Sequence, residues 1–164
     1  MYRSPLKFQP IYKERLWGGE KLKTSLDKQY SASGIGESWE ISAVKGDVSQ
    51  VIEGPYSGKN LDVLIEEFGP ELLGFSVLNR FGSDFPILIK YIDAKLDLSI
   101  QVHPSDELAA QRHQSFGKNE MWFIMDHDPN ANLILGFQED CSKKSYQKAL
   151  EEKKLSTLLN YTPV

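Results

Sequence analysis

The stretch LSIQVHPSDE, residues 98–107, sets Ser99, Gln101 and His103 alternately with Leu98, Ile100 and Val102. Successive side chains of an extended chain point to opposite faces, so this segment predicts a strand with one polar face and one apolar face. The run GKNEMWFIM, residues 117–125, repeats the pattern. Lys118, Glu120 and Trp122 share one face, and Asn119, Met121 and Phe123 the other. Such a strand either lies half-buried at a surface or lines a polar cavity. In both cases Leu98, Ile100 and Val102 are expected to pack behind it against the rest of the fold.

Turn signals between short apolar runs recur along the chain. The chain to about Gly19 carries Pro5 and Pro10 and reads as extended, and Gly18-Gly19 as a turn. A Ser/Gly-rich segment then precedes a short strand near 39–42. Gly46-Asp47 and Gly54-Pro55 punctuate a turn, a strand and a second turn. Asn60 is placed to cap a helix with Leu61, Leu64, Ile65 and Phe68 on one face. Gly69-Pro70 interrupts that helix and Gly74 ends it. Residues 87–92 read as a strand, and 98–103 as the next. A short helix follows, capped by Ser105, then a third strand at 118–125 and a fourth at 133–137. From Ser142 to Asn160 the chain reads as helix. Many short strands with a few helices predict a mainly β sandwich or barrel with helical additions.

Composition limits what such a chain can do. Its 164 residues suit one domain with a sizeable core. A formal net charge of -4 lacks the basic footprint of a nucleic-acid binder, yet leaves room for a local basic pocket. The single cysteine, Cys141, rules out an intrachain disulfide and any zinc site needing two cysteines from this chain. The N-terminus lacks the apolar core of a signal peptide, and no run is long and apolar enough to span a membrane. The expectation is a soluble, cytoplasmic protein with no nucleic-acid or membrane partner.

If the segments at 98–103 and 118–125 line one cavity, it holds an imidazole, a carboxylate, a carboxamide, an ammonium and a hydroxyl. His nitrogen and carboxylate oxygen are ordinary zinc ligands, and a Gln carbonyl oxygen is a rarer one. On spacing alone, solvated or hydrogen-bonded polar residues explain the pattern as well. His113 reads as the exposed side of a helix and His127 as part of a turn, and neither has a partner at ligand spacing.

FPILIKYIDAKLDLSIQVHPSDE followed by GKNEMWFI resembles the signature of type I phosphomannose isomerases. YKERLWGG and IGESWEIS resemble further segments of that family, in the same order, over nearly the whole chain. The resemblance implies a cupin-type jelly-roll barrel or sandwich with added helices, read as one catalytic domain over 1–164 and incomplete at its C-terminus. It implies the interconversion of mannose 6-phosphate and fructose 6-phosphate, with Zn2+ as cofactor and a sugar phosphate as partner. Manganese, cobalt and iron share the same ligands. Gln101, His103 and Glu120 would hold the metal. Ser99 and Lys118 would lie at the sugar phosphate, with Lys118 transferring a proton or positioning substrate. Trp17 and the stretch from Glu37 to Trp39 would border the pocket, although a tight turn and a buried Trp explain them too.

The family's fourth ligand, a histidine, and a later arginine belong to a portion this chain does not have. Little or no isomerase activity is therefore expected of the chain alone, together with weak metal binding and self-association through exposed sheet edges. Two other readings stay open. One is a non-catalytic sugar-phosphate-binding module. The other is a different metal-dependent cupin enzyme, such as one using Fe(II), although Gln101 stands where a His-x-His pair would put its second histidine.

Overall fold

The computed structural model describes residues 5–164. The reading of the first four residues as extended chain lies outside them. The fold divides into two compact units, Met1–Leu98 and Ser99–Val164.

The first unit is built on β1 (Ile11–Gly19), the short helix α1 (Lys21–Thr24) and β2 (Ile35–Ile41). Next come the hairpin strands β3 (Ala43–Val44) and β4 (Asp47–Val48), helices α2 (Leu61–Leu73) and α3 (Phe75–Phe81), and β5 (Ile89–Ile92). Antiparallel pairing gives a three-stranded sheet in the order β1-β2-β5. Leu22, Ile35, Val51, Leu61, Leu64 and Ile65 form its core. Three of these are the α2 positions expected from helical spacing. Asn60 does occupy the cap position in extended backbone, but its side chain makes no capping bond. The helix kinks at Phe68 (φ -129°, ψ 22°), just before Pro70, whose missing N–H cannot continue the ladder. The helix α3, absent from the sequence reading, restarts after Gly74 at φ 79°.

Several buried polar side chains of this unit are hydrogen-bonded, as burial favours, whereas the buried Tyr30 hydroxyl has no hydrogen-bond partner among the described residues. Ser49 Oγ accepts from the Ser42 backbone N–H at 2.8 Å, and Ser42 Oγ accepts from Val44 N–H at 3.1 Å. The two buried serines thus hold the β3–β4 hairpin at the Gly46 turn (φ +89°). Asp93 is buried and accepts the Lys21 N–H at 2.5 Å. Gly18 and Gly19 form no turn. They lie at the end of β1, where a Cβ on Gly18 would stand 2.3 Å from the Gly34 carbonyl oxygen and one on Gly19 would stand 2.6 Å from the Asp93 carboxylate. Close backbone approach, which only glycine permits, explains the pair.

The second unit contains α4 (Asp106–His113), β6 (Asn132–Phe137), α5 (Lys143–Glu151), a 3-10 turn at Leu155–Leu158, and β7 (Leu159–Pro163). The β6 and β7 strands pair antiparallel, with a bulge between Ile134 and Phe137 at Gly136 (φ 73°). The C-terminal helix is shorter than expected. Lys153 turns left-handed at φ 57° and the chain returns as β7, so long-range pairing with β6 overrides the local helical pattern. Only Ala109, Ala149 and Leu159 are buried apolar residues of this unit.

Residues 98–103 and 118–125 correct the strand expectation, because neither lies in a hydrogen-bonded strand. A strand needs a ladder partner as well as a period-2 pattern. Among the described residues, 119–125 make no backbone-to-backbone hydrogen bond. Ile100 and Val102 do not pack inward either, and Val102 is 89% exposed. The architecture is thus small antiparallel sheets plus helices, and no closed jelly roll is formed among the described residues.

Glu37 ties the three-stranded sheet together. It sits buried on the central strand, where its carboxylate accepts from Arg15 Nη2 at 2.6 Å, Lys90 Nζ at 2.7 Å and Trp39 Nε1 at 3.1 Å. Burial pushes its pKa up, but the hydrogen bonds from Lys90 and Trp39 and the charges of Lys90 and Arg15 outweigh it, leaving the carboxyl below its ordinary value. A depressed folded pKa stabilises above the unfolded pKa, and that stabilisation is lost as pH falls through the folded one. The Glu37→Gln variant is expected to lose about 3 kcal/mol at neutral pH, the low end for a broken buried pair, because Arg15 can turn to water. Urea melts should show its deficit against wild type closing as pH falls below the ordinary carboxylate range and through the lowered pKa of Glu37. A deficit independent of pH would show that the charge is not what Glu37 contributes.

Candidate metal and sugar-phosphate site

The second unit brings three of the expected site residues together. Glu120 Oε2 lies 2.7 Å from His103 Nε2, and Glu120 Oε1 lies 2.6 Å from Lys118 Nζ. Ser99 and Gln101 form a second pair, in which Gln101 Nε2 donates to Ser99 Oγ at 2.9 Å and leaves the carboxamide oxygen for another partner. Trp17 stands in the first unit on β1, with its ring against Gly36 and its carbonyl accepting from Lys95 N–H at 2.8 Å. Glu37 and Trp39 also belong to that unit, in the buried ion cluster. His113 lies exposed in the last turn of α4, and His127 lies exposed beside Asp128.

The local chain explains how residues 17 apart in sequence meet. Ser105 caps α4, its Oγ accepting from Leu108 N–H, as the sequence predicts. Asp106, in the first turn, then accepts the Gly117 N–H at 2.8 Å. The Lys118 N–H donates to the Pro104 carbonyl at 3.3 Å. These bonds lay the segment after Gly117 against the turn after His103. Gly117 is required there, because a Cβ would come within 2.6 Å of the Asp106 nitrogen and 2.7 Å of the Pro104 oxygen. Sequence reading took Gly117 only as the start of a strand and passed over Asp106. An acidic residue in the first turn of a capped helix was the available signal.

Electrostatics at the cluster centre on Glu120. Partial burial raises its pKa, but hydrogen bonds from Lys118 and His103, reinforced by their charges, lower it further, so the carboxyl lies below its ordinary value. It is therefore an anion at neutral pH. An imidazole nitrogen, an ionised carboxylate and a carboxamide oxygen are all donors that a divalent metal accepts. At present His103 and Glu120 satisfy each other. Among the described residues, no group of three or more His, Cys, Asp or Glu side chains is gathered for a metal. The donor set therefore fits part of a metal site and needs a further ligand to close it.

Replacing Gly117 by Ala should push residues 117–120 off the α4 turn, since the obstructing atoms are backbone and cannot yield. A cost of about 1–3 kcal/mol is expected from overpacking. The imidazole nitrogen NMR signals of His103 should shift to those of a Glu120→Ala variant. Signals unchanged from wild type would show that the Gly117 contact does not position Glu120.

Residues 6–146 match the family model described as phosphomannose isomerase type I, catalytic domain. The probable mannose-6-phosphate isomerase GmuF of Bacillus subtilis (strain 168) is 39% identical over 148 residues, which cover 90% of this chain and 45% of that protein. The mannose-6-phosphate isomerase of Streptococcus mutans is 35% identical over 98% of this chain and 49% of its own length. Among solved structures, that of the mannose 6-phosphate isomerase from Bacillus subtilis superposes with a TM-score of 0.89 at 35% identity, covering 99% of this chain and 50% of that one. The chain thus spans about half the length of the curated relatives it matches, and it belongs to the type I phosphomannose isomerase family.

Proposed function

We propose that this chain supplies the metal- and sugar-phosphate-binding part of a mannose-6-phosphate isomerase, as the N-terminal portion of one cupin-like catalytic domain. The observation that carries the reading is the His103–Glu120–Lys118 cluster, held by the Gly117–Asp106 contact inside the stretch that matches the family's catalytic domain. The structural likeness to the Bacillus subtilis isomerase supports the cupin fold. In this reading His103, Glu120 and Gln101 hold a divalent metal, with zinc the first choice. Ser99 and Lys118 bind the sugar phosphate.

Isomerisation of mannose 6-phosphate to fructose 6-phosphate moves a proton from C2 to C1 of the open-chain sugar through an enediol(ate). A bound divalent metal would supply Lewis-acid stabilisation of the charge that builds on the two oxygens. Lys118 is the group placed to hold or move the proton, or to fix the sugar beside the metal ligands. The ion pair with Glu120 orients its ammonium, and Ser99 offers a hydroxyl to the polar substrate. A non-catalytic sugar-phosphate-binding module is the second reading, favoured by the incomplete donor set among the described residues.

Elemental analysis tests the metal reading. The purified chain, or a longer enzyme containing it, should carry a divalent metal that falls strongly in a Glu120→Ala variant. No metal in either the chain or the longer enzyme would overturn that assignment.

Turnover tests Lys118. In an isomerase that carries this chain together with the other half of the relatives' length, Lys118→Ala should lower kcat by about 10²–10⁴-fold, the usual worth of general acid–base catalysis. Undiminished turnover would remove Lys118 from the chemistry. Sugar-phosphate binding with no turnover in such an enzyme would favour the binding-module reading.

A further inference from the structure

Two bonds fix the start of the segment that carries Lys118 and Glu120. Asp106 Oδ1 accepts the Gly117 N–H at 2.8 Å, and the Pro104 carbonyl accepts the Lys118 N–H at 3.3 Å. The second lies beyond the usual N–H···O range, whereas the first is well within it and has a carboxylate acceptor, the stronger class. Past Lys118 the backbone is untethered: among the described residues, 119–125 make no backbone-to-backbone hydrogen bond. The Asp106 end is itself held. Ser105 caps α4, the Ala109 N–H donates to the Ser105 carbonyl at 2.9 Å, and Ala109 is 1% exposed. Asp106 stands three residues after His103, and Gly117 three before Glu120. Their bond therefore closes a short ring of chain, with the His103–Glu120 contact at its far side, in place of the longer loop through α4. The shorter loop loses less conformational entropy on closing.

We infer that Asp106 is a positioning residue of the candidate site: its carboxylate, through the Gly117 N–H, sets Glu120 and Lys118 against His103. The functional consequence rests on the metal and sugar-phosphate reading above, and the geometry does not. Asp106 is not among the ligands of that reading and acts only through Gly117. Capping and positioning fall on different residues, because Ser105 takes the Leu108 N–H and Asp106 takes the Gly117 N–H. Asp106 is exposed, so water takes over the Gly117 N–H when the carboxylate is removed. The loss then appears as misalignment of Glu120 and not as unfolding. Asparagine keeps an acceptor oxygen at the same reach, and alanine does not.

Nitrogen NMR of the histidine rings, joined to zinc titration of the purified chain, tests this. In the metal-free chain Asp106→Ala should move the His103 imidazole signals toward those of Glu120→Ala. The same variant should bind zinc about 10–100-fold more weakly, the usual cost of losing a partner behind the ligands. Asp106→Asn should bring both readouts back toward wild type. Ser105→Ala removes the helix cap and keeps the Gly117 bond, so it should leave the His103 signals in place. Unmoved His103 signals in Asp106→Ala would overturn the inference. So would an Asp106→Asn variant displaced as far as alanine, or a Ser105→Ala variant displaced equally, since helix integrity would then be responsible. A wild-type Gly117 amide that exchanges with solvent as fast as an unbonded loop amide would overturn it with no variant needed. His103 signals that respond as expected in a chain that binds no zinc would count against the metal reading and leave Asp106 in its positioning role.

Discussion

The buried carboxylate of Glu37 is the constraint on which the first unit depends. It lies on the central strand and takes a hydrogen bond from a cation on each flanking strand, Arg15 of β1 and Lys90 of β5. Removing one partner would leave charge in a partly dry environment, which costs more than the pair gains when intact. The three strands are thus coupled through side chains as well as through their backbone ladders. Around that cluster Lys13 reaches Asp47 and lies 4.8 Å from the centre of the Trp39 ring. Leu22, Ile35 and Val51 are buried in the core of the same unit.

The second unit follows a different rule. Its order comes from the Ser105 cap, the Asp106–Gly117 bond and the long-range β6–β7 ladder. These suffice to place His103, Lys118 and Glu120 together, yet they bury little apolar surface. Hydrophobic burial is the main favourable term in folding, and this unit has few buried apolar side chains to supply it. Met121 and Phe123 are among its most exposed apolar side chains, and both face solvent. No described helix is long and apolar enough to cross a membrane.

Much of the local structure was legible before the fold. The Ser105 cap, the α2 apolar face, the Gly46 turn and the strands at 89–92 and 132–137 rest on near-neighbour chemistry, which sequence displays directly. The alternation at 118–125 was legible too, and the alternating exposure of 121–125 matches it, even though no ladder forms. What stayed hidden depended on distant partners. Leu159 and Asn160, expected as the end of a helix, instead begin β7, because β6 offered hydrogen bonds that their own neighbours could not. Gly18 and Gly19 looked like a turn; instead the Gly34–Gly36 backbone leaves no room for a Cβ on Gly18, and the Asp93 carboxylate leaves none on Gly19. Glu37 read as a residue beside a pocket and is the tie of a sheet.

By itself, the sequence determined the periodicities, the caps and turns, the exclusion of disulfides and cysteine-rich zinc sites, and which residue types could serve as donors. Those follow from side-chain chemistry and spacing along the chain. Only the tertiary structure decided that His103 and Glu120 touch, that Asp106 and Gly117 bring them together, and that Gln101 pairs with Ser99. It also decided which alternating segment found a partner strand and which stayed bare. The physical reason is the same in each case. A hydrogen bond or an apolar contact needs two groups, and the chain records only one of them at any position.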